Sequence, residues 1–280
     1  MYVISLINMK GGVGKTTLTV NISHCLSSYF GYRVLTIDLD PQFNATQCVL
    51  SEDDYKRILK EGDTIVDFLK GKPSTPINSV YGVMTKQPKS YIELVPQAIS
   101  DKWHVIPGSL AIHKYELSSE SGKEYKIKQY LESLRSKDLY DFVIIDTPPT
   151  PSLWMLSALV ASDYYLIPTR PDPLSIVGLE ALEAIVSNYR DTYRLEIKCL
   201  GVILNIVDKN NLTKDTIREF NRKSVWSVRL FNGMIPRRVN IARYQLENQF
   251  ILDSREAEAK LELIEITREL LDRIGKSKSK

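Results

Sequence analysis

The chain has 280 residues, of which 43% are hydrophobic and 25% charged, with a formal net charge of +3. That length suits one α/β domain burying about three quarters of the surface its unfolded chain exposes. The composition argues against several classes. No apolar run approaches the ~20 residues that cross a bilayer, and no basic start leads into a long apolar stretch as in a signal peptide. Cys25, Cys48 and Cys199 lack C-x-x-C spacing and read as reduced thiols of a cytosolic protein, not a disulfide frame or metal site. His24, His104 and His113 are far apart and read as structural.

In chain order, residues 2–7 predict a short buried strand and residues 18–29 a helix. Residues 33–38 predict a second strand, apolar and β-branched and ending on acids. Residues 51–100 are patterned weakly. Asp63-Thr64 predicts the cap of a short helix through Leu69, stopped by Gly71-Lys72-Pro73. Short strands are predicted at 92–95 and 104–106, the second closed by Pro107-Gly108. A helix at 123–134, a buried strand at 142–146, a helix at 152–160 and a strand at 164–168 follow. Helix 174–189 and strand 199–207 continue the series, and residues 254–274 predict one amphipathic helix with Leu261, Ile264, Leu271 and Ile274 near one stripe. This alternation predicts an α/β fold, a mostly parallel twisted sheet flanked by helices on both faces. Ligands of such sheets bind at the carboxyl ends of the strands. Residues 10–17, 38–42 and 146–149 all fall there.

The first of these stretches is Lys10-Gly11-Gly12-Val13-Gly14-Lys15-Thr16-Thr17. Strand, glycine loop and helix start form the context of a phosphate loop. Glycines let backbone N–H groups converge, and the helix N-terminus adds partial positive charge. Lys15 then reaches the β- and γ-phosphates, and the Thr16 hydroxyl takes a Mg²⁺ position. The strict pattern wants a glycine where Met9 stands, and Lys10 adds a lysine at the front of the loop. A bare turn would need neither Lys15 nor Thr16. Asp38 and Asp40 fall on the same side of an extended strand end, near the γ-phosphate position, and composition does not separate their roles. Asp146 ends an apolar strand as a Walker B carboxylate does, and Thr147-Pro148-Pro149 predicts a stiff switch loop.

The loop resembles the deviant Walker A motif of the ParA/MinD family of ATPases. Asp38-Leu39-Asp40-Pro41-Gln42, Asp146-Thr147-Pro148-Pro149 and Ile235-Pro236-Arg237 follow in the family's order across residues 1–245. The run 38–46 is similar to the ParA/Soj branch, which partitions DNA or positions other cargo. The resemblance implies a P-loop ATPase domain over residues 1–274, then a flexible basic tail at 275–280. It implies Mg²⁺ held by Thr16, Asp38 and Asp146, the last through water, and ATP bound by residues 10–17. Asp40 would orient or deprotonate the attacking water. Lys10 would reach across a nucleotide-sandwich homodimer to the partner's ATP, as an arginine finger does, making Lys10, Lys15 and Asp40 the catalytic set. Asn205, Pro236 and Arg237 would frame the adenine. Beyond them the chain departs from the family's pattern at Asn240 and Arg243.

Residues 198–243 are lopsided in charge: Lys209, Lys214, Arg218, Arg222, Lys223, Arg229, Arg237, Arg238 and Arg243 face only Asp208, Asp215 and Glu219. Alone, such a run reads as a solvated face. The resemblance implies a DNA surface here, completed by dimerisation, with Lys209, Lys214, Arg218, Arg222, Lys223, Arg237, Arg238 and Arg243 on phosphates. Such binding is sequence-blind and salt-dependent. The expected protein is a cytoplasmic, nucleoid-associated ATPase, slow until stimulated, that partitions plasmid or chromosomal DNA with a ParB-like adaptor. A positioner of protein cargo, such as carboxysomes or chemotaxis clusters, would use the same engine. A MinD-like membrane regulator would end in a basic, apolar helix. Residues 254–274 instead carry Glu256, Glu258, Glu262, Glu265, Glu269 and Asp272, so no membrane is expected. A relative of the nitrogenase iron protein would need paired cysteines after the Walker B strand, and none lies between Cys48 and Cys199.

Overall fold

Strands whose residues are apolar in succession need cover on both faces, and this sheet supplies it. The computed structural model describes residues 1–70, 95–208, 210–222 and 229–275. Its strands are β1 (Tyr2–Leu6), β2 (Val34–Asp38), β3 (Gln97–Ser100), β4 (Trp103–Ile106), β5 (Phe142–Asp146), β6 (Tyr164–Thr169), β7 (Lys198–Val207) and β8 (Leu230–Pro236). They lie side by side as β3-β4-β2-β5-β1-β6-β7-β8, parallel throughout except for β3 at one edge. Every residue of β2 and β5 is buried. Alternation sends Val3, Val143 and Ile145 to one face and Ile4, Leu6 and Ile144 to the other.

The first helices are α1 (Lys15–His24), α2 (Asn44–Val49), α3 (Glu52–Glu61), α4 (Ile65–Lys70), α5 (Ile112–Glu116) and α6 (Lys126–Arg135). They are followed by α7 (Leu153–Ala161), α8 (Ser175–Tyr193), α9 (Asn211–Arg222), α10 (Val239–Leu246) and α11 (Ala257–Arg273). Helices α1 and α11 cover one face through Leu18, Ile22, Leu263 and Ile266. The other face is covered by α4 to α7 around Phe68, Leu131 and Trp154, and by α8 and α9 through Leu182 and Phe220.

The alternation and the buried strands follow the sequence-based expectation, with local differences. Helix α1 starts on the glycine loop itself, and its end widens where Phe30 N donates to Cys25 O at 3.1 Å. Thr64 does cap α4: its N–H and hydroxyl both donate to Asp67 Oδ2, at 3.2 and 2.6 Å. The stop at Gly71-Lys72-Pro73 lies outside the described residues. Of the strand expected at 92–95, residues 92–94 lie outside the described residues and Val95 is 60% exposed and in no strand; a strand the sequence did not mark follows at Gln97–Ser100. Of the expected tail, residues 276–280 also lie outside.

The C-terminal helix begins at Ala257; Leu271 and Ile274 of the expected stripe are buried and Ile264 packs beside them, but Leu261 does not. Leu261 is 70% exposed, whereas Ala259, Leu263, Ile266 and Leu270 are fully buried. Two of its acids cover the sheet edge: Glu262 Oε2 accepts from Met234 N at 2.7 Å and Glu269 Oε2 from Asn232 N at 2.8 Å. These bonds cap the outer N–H groups of the edge strand β8. In the last turn, Arg273 donates to Leu200 O and Leu230 O, both at 2.5 Å, and to Arg229 O at 3.2 Å. The β7–β8 pairing is irregular there, and Gly201 has φ 145°. A Cβ at that glycine would lie 2.3 Å from both Arg229 O and Arg273 Nη1, so only glycine fits.

Candidate active site

Parallel register sets Leu6 and Asp38 on either side of Asp146. The glycine loop after β1 and the acids ending β2 and β5 therefore meet at one carboxyl edge. Gly14 precedes α1 in the left-handed conformation at φ 83°. A Cβ there would lie 2.1 Å from Asn205 Nδ2, which donates to Val13 O at 2.8 Å. The end of β7 thus pins the loop.

Lys15 is 7% exposed and its Nζ donates to Asn8 O at 3.1 Å. Burial lowers its pKa, against the opposing pull of the Asp146 and Asp40 carboxylates. Asn8 also ties the loop to β6: its Nδ2 donates to Pro168 O at 2.7 Å, and its Oδ1 accepts from Lys10 N at 2.9 Å. Lys10 Nζ lies 2.5 Å from Asp172 Oδ2, in the turn between β6 and α8.

Asp146 is fully buried and accepts from Thr16 Oγ1 at 2.7 Å and Thr19 Oγ1 at 3.1 Å. Asp38, also fully buried, accepts on Oδ2 from Thr46 N at 2.8 Å and Thr46 Oγ1 at 2.7 Å. Its Oδ1 accepts from Asp40 N at 3.2 Å, so Asp38 holds the start of the loop that carries Asp40. Asp40 is 7% exposed, and its Oδ1 accepts from Gln42 N at 2.9 Å.

Burial, then the Asp146 charge, pushes Asp38 up to about 8. Burial also pushes Asp146 up to about 6, against the pull of the Thr16 hydroxyl. Two buried acids with raised pKa beside a hydroxyl form a hard-oxygen set that a dication would hold ionised. Among the described residues, no group of three or more His, Cys, Asp or Glu is arranged to hold a metal. That donor chemistry fits Mg²⁺ held jointly with phosphate oxygens and water, not a protein cage.

Beside Thr17, a cavity of about 320 Å³ is lined by Asn205, Ile206, Ile235, Pro236 and Arg237. Thr17 Oγ1 donates to Gln245 Oε1 at 3.1 Å, joining the loop to α10. Ile206 is β-branched yet left-handed at φ 56°, a strain of the kind that concentrates at binding sites. Arg237 is exposed and pairs with Asp208 at 3.2 Å.

The basic residues expected to meet DNA separate into groups. Lys214, Arg218 and Arg222 are exposed at i, i+4 and i+8 on α9, whose opposite side buries Thr216 and Phe220. Arg218 pairs with Asp215 at 3.0 Å. Arg238 is tied to Glu256 at 3.2 Å and to Glu258, and Arg243 to Glu247 at 3.1 Å. Lys209 and Lys223 lie outside the described residues.

Sequence reasoning assigned no role to Asn8, Thr46, Asp172 or Ile206. Thr46 could have been found as the last residue of the 38–46 run. Asp172 had no such signal, since its partner Lys10 is 162 residues away.

A family model described as an AAA domain matches residues 1–199. The chain is 32% identical over 252 residues to an uncharacterized protein of Methanocaldococcus jannaschii, covering 89% of this chain and 90% of that one. It is 30% identical over 246 residues to the sporulation initiation inhibitor protein Soj of Bacillus subtilis, covering 86% of each. A putative plasmid partition protein of Borrelia burgdorferi, solved with AMPPNP bound, has the same fold at a TM-score of 0.74 and 23% identity, covering 97% of this chain and 99% of that one.

Proposed function

Because the chain belongs to the ParA/Soj branch of the ParA/MinD family of P-loop ATPases, we propose that it is an ATP-dependent dimerising switch. In the ATP state it binds DNA without regard to sequence, and with a ParB-like adaptor it partitions plasmid or chromosomal DNA. The observation that carries this reading is the pair of lysines, Lys10 and Lys15, on one glycine loop beside Asp40 and Asp146.

In this mechanism Lys15 exchanges Asn8 O for the β- and γ-phosphates, and the loop amides with the α1 N-terminus hold the remaining charge. The Thr16 hydroxyl, Asp146 and Asp38 would hold Mg²⁺. That ion, when bound, neutralises phosphate charge and fixes the phosphates for in-line attack. Asp40 accepts a hydrogen bond from the attacking water and orients it. Asn205, Pro236 and Arg237 frame the base. Lys10 supplies positive charge to a partner's nucleotide.

Dimerisation is supported by an apolar fringe on the nucleotide edge. Leu110, Leu174, Val177 and Val239 are 63% to 84% exposed, and all follow the carboxyl ends of strands. A second copy would cover them. The Lys214, Arg218 and Arg222 face of α9 supports phosphate contact. Helix α11 speaks against a membrane-surface role, since its apolar stripe packs onto the sheet and Glu262 and Glu269 are bonded to β8.

The test is binding to non-specific duplex DNA with ATP, with ADP and without nucleotide, across a salt series. Binding confined to the ATP state, with log affinity falling linearly against log salt, is expected. Absence of binding in every state would overturn the DNA reading.

A further inference from the structure

The cavity assigned to the base has a neighbour. A second cavity, of about 660 Å³, adjoins Thr16 and Thr17 and is lined by Phe43, Asn44, Gln47 and Asn248. Thr17 and Gln245 are the two residues that line both cavities, and the bond from Thr17 Oγ1 to Gln245 Oε1 at 3.1 Å stands where they meet. Among the described residues this is the one bond of the Gln245 side-chain amide. The other walls of the base cavity are committed or apolar. Asn205 uses its amide on Val13 O and Ile206 N, at 2.8 and 3.0 Å. Arg237 pairs with Asp208 and Arg238 with Glu256. Ile206, Ile235, Pro236, Val239 and Ile241 carry no polar side-chain atom. Gln245 also sits on a fixed element. Asn248, in the turn that ends α10, is left-handed at φ 53°, and its Nδ2 donates to Gln47 O at 3.0 Å, tying the helix to α2.

We infer that Gln245 reads the sugar of the nucleotide, bonding a ribose hydroxyl once its bond to Thr17 opens. The inference rests on the nucleotide-binding reading above. With the base between Asn205 and Pro236 and the phosphates on the loop amides, the ribose joins the two and passes Thr17. The Thr17 hydroxyl, in the first turn of α1, then turns to the phosphate nearest the sugar. That leaves the half-buried Gln245 amide beside the sugar without its partner, which is costly unless a new one arrives. A ribose hydroxyl both donates and accepts, so it meets either end of the amide. A carboxylate can serve a ribose hydroxyl too, but here it would repel the adjoining phosphates, and a neutral amide avoids that. A nucleotide that lacks the hydroxyl leaves the amide unpaired, the situation from which discrimination between close analogues arises.

Calorimetric titration with ADP, 2′-deoxy-ADP and 3′-deoxy-ADP in Mg²⁺ tests this on the wild-type chain, Gln245→Leu and Thr17→Val. The diphosphates keep hydrolysis out of the measurement. At least one deoxy sugar should bind wild type about two- to 12-fold more weakly than ADP does. Gln245→Leu, close in volume, should bind all three alike. Thr17→Val should weaken all three together and keep their ratios. A ratio of affinities is untouched by a general loosening of α10, so it separates sugar reading from a structural role. Equal binding of the three by wild type would overturn the inference while leaving the nucleotide site standing. So would discrimination that persists in Gln245→Leu, or discrimination that Thr17→Val abolishes. Failure of the wild-type chain to bind ADP at all is a separate outcome, and it would remove both the site and the inference.

Discussion

Replacing Thr46 with valine removes one hydroxyl from a fully buried position and changes little else in shape. That hydroxyl donates to Asp38 Oδ2 at 2.7 Å and accepts from Gly108 N at 2.8 Å, while the backbone bond from Thr46 N to Asp38 remains. Without metal, burial and the Asp146 charge push Asp38 up to about 8 and so disfavour its charged form. Its bond to Thr46 then counts as a neutral one, worth about 1 kcal/mol. The Gly108 N–H left without an acceptor costs a further ~1–3 kcal/mol. Thr46→Val should therefore lose about 3 kcal/mol, a fall in Tm of roughly 6 to 12 °C for a chain of this size. Urea unfolding in chelator, extrapolated to water, measures it. Thr46→Ser, which keeps the hydroxyl and loses a methyl group, should lose about 1 kcal/mol. A valine variant within 1 kcal/mol of wild type, or a serine variant equally damaged, would refute the bonding scheme around Asp38. Because Asp38 Oδ1 also holds Asp40 N, ATP turnover by the valine variant should fall further than its ATP affinity.

Gly14→Ala meets both the left-handed backbone and Asn205 Nδ2, and should cost about 2–4 kcal/mol while reducing ATP affinity by more than ten-fold; nucleotide titration with a melting curve checks it. Arg218→Glu reverses charge in the middle of the exposed α9 face. It should weaken ATP-state DNA binding several-fold and flatten its salt dependence while ATP turnover without DNA is kept, and unchanged DNA affinity would place the contact elsewhere. His24 gives a pH prediction. Burial lowers its pKa from the ordinary 6.5, with the Asp253 charge opposing, so the unfolded chain binds the proton more readily. Its contribution is thus complete above about pH 6.5 and is lost as pH falls below it. His24→Phe, which keeps a ring against Phe250 and Trp103, should flatten the stability loss between about pH 7.5 and about pH 5.5, and an undiminished slope in urea unfolding would refute that account.

What could be read in advance was whatever the chain encodes locally. Strands β1, β2 and β5 are short apolar runs between turn signals, and the glycine loop carries its chemistry in eight consecutive residues. Strand β3 was not anticipated because Gln97–Ser100 alternates half-buried and exposed residues at an antiparallel edge, so it offers no apolar run. The stripe of α11 was drawn through Leu261 because Ala259 and Thr267, small but fully buried, do not register as apolar anchors. Glu262 and Glu269 gave no sign of their partners, since only the assembled sheet supplies the N–H groups they accept from. The contacts of Asn8, Thr46 and Asp172 join segments that are distant in the chain, and no spacing rule anticipates them.

The Arg273 side chain ties the C-terminal helix to the two strands that lead, in the proposed reading, to the residues framing the base. Its three carbonyl acceptors belong to the start of β7 and the approach to β8, and those strands run on to Asn205 and Pro236. A reporter fused after Gly275 leaves this junction whole. A deletion that reaches back to Arg273 removes its bonds to three carbonyls at one end of two strands, and on the proposed reading it should loosen the seat for the base at the other end. Truncation scans of the C-terminus should therefore read out as nucleotide affinity before they read out as unfolding.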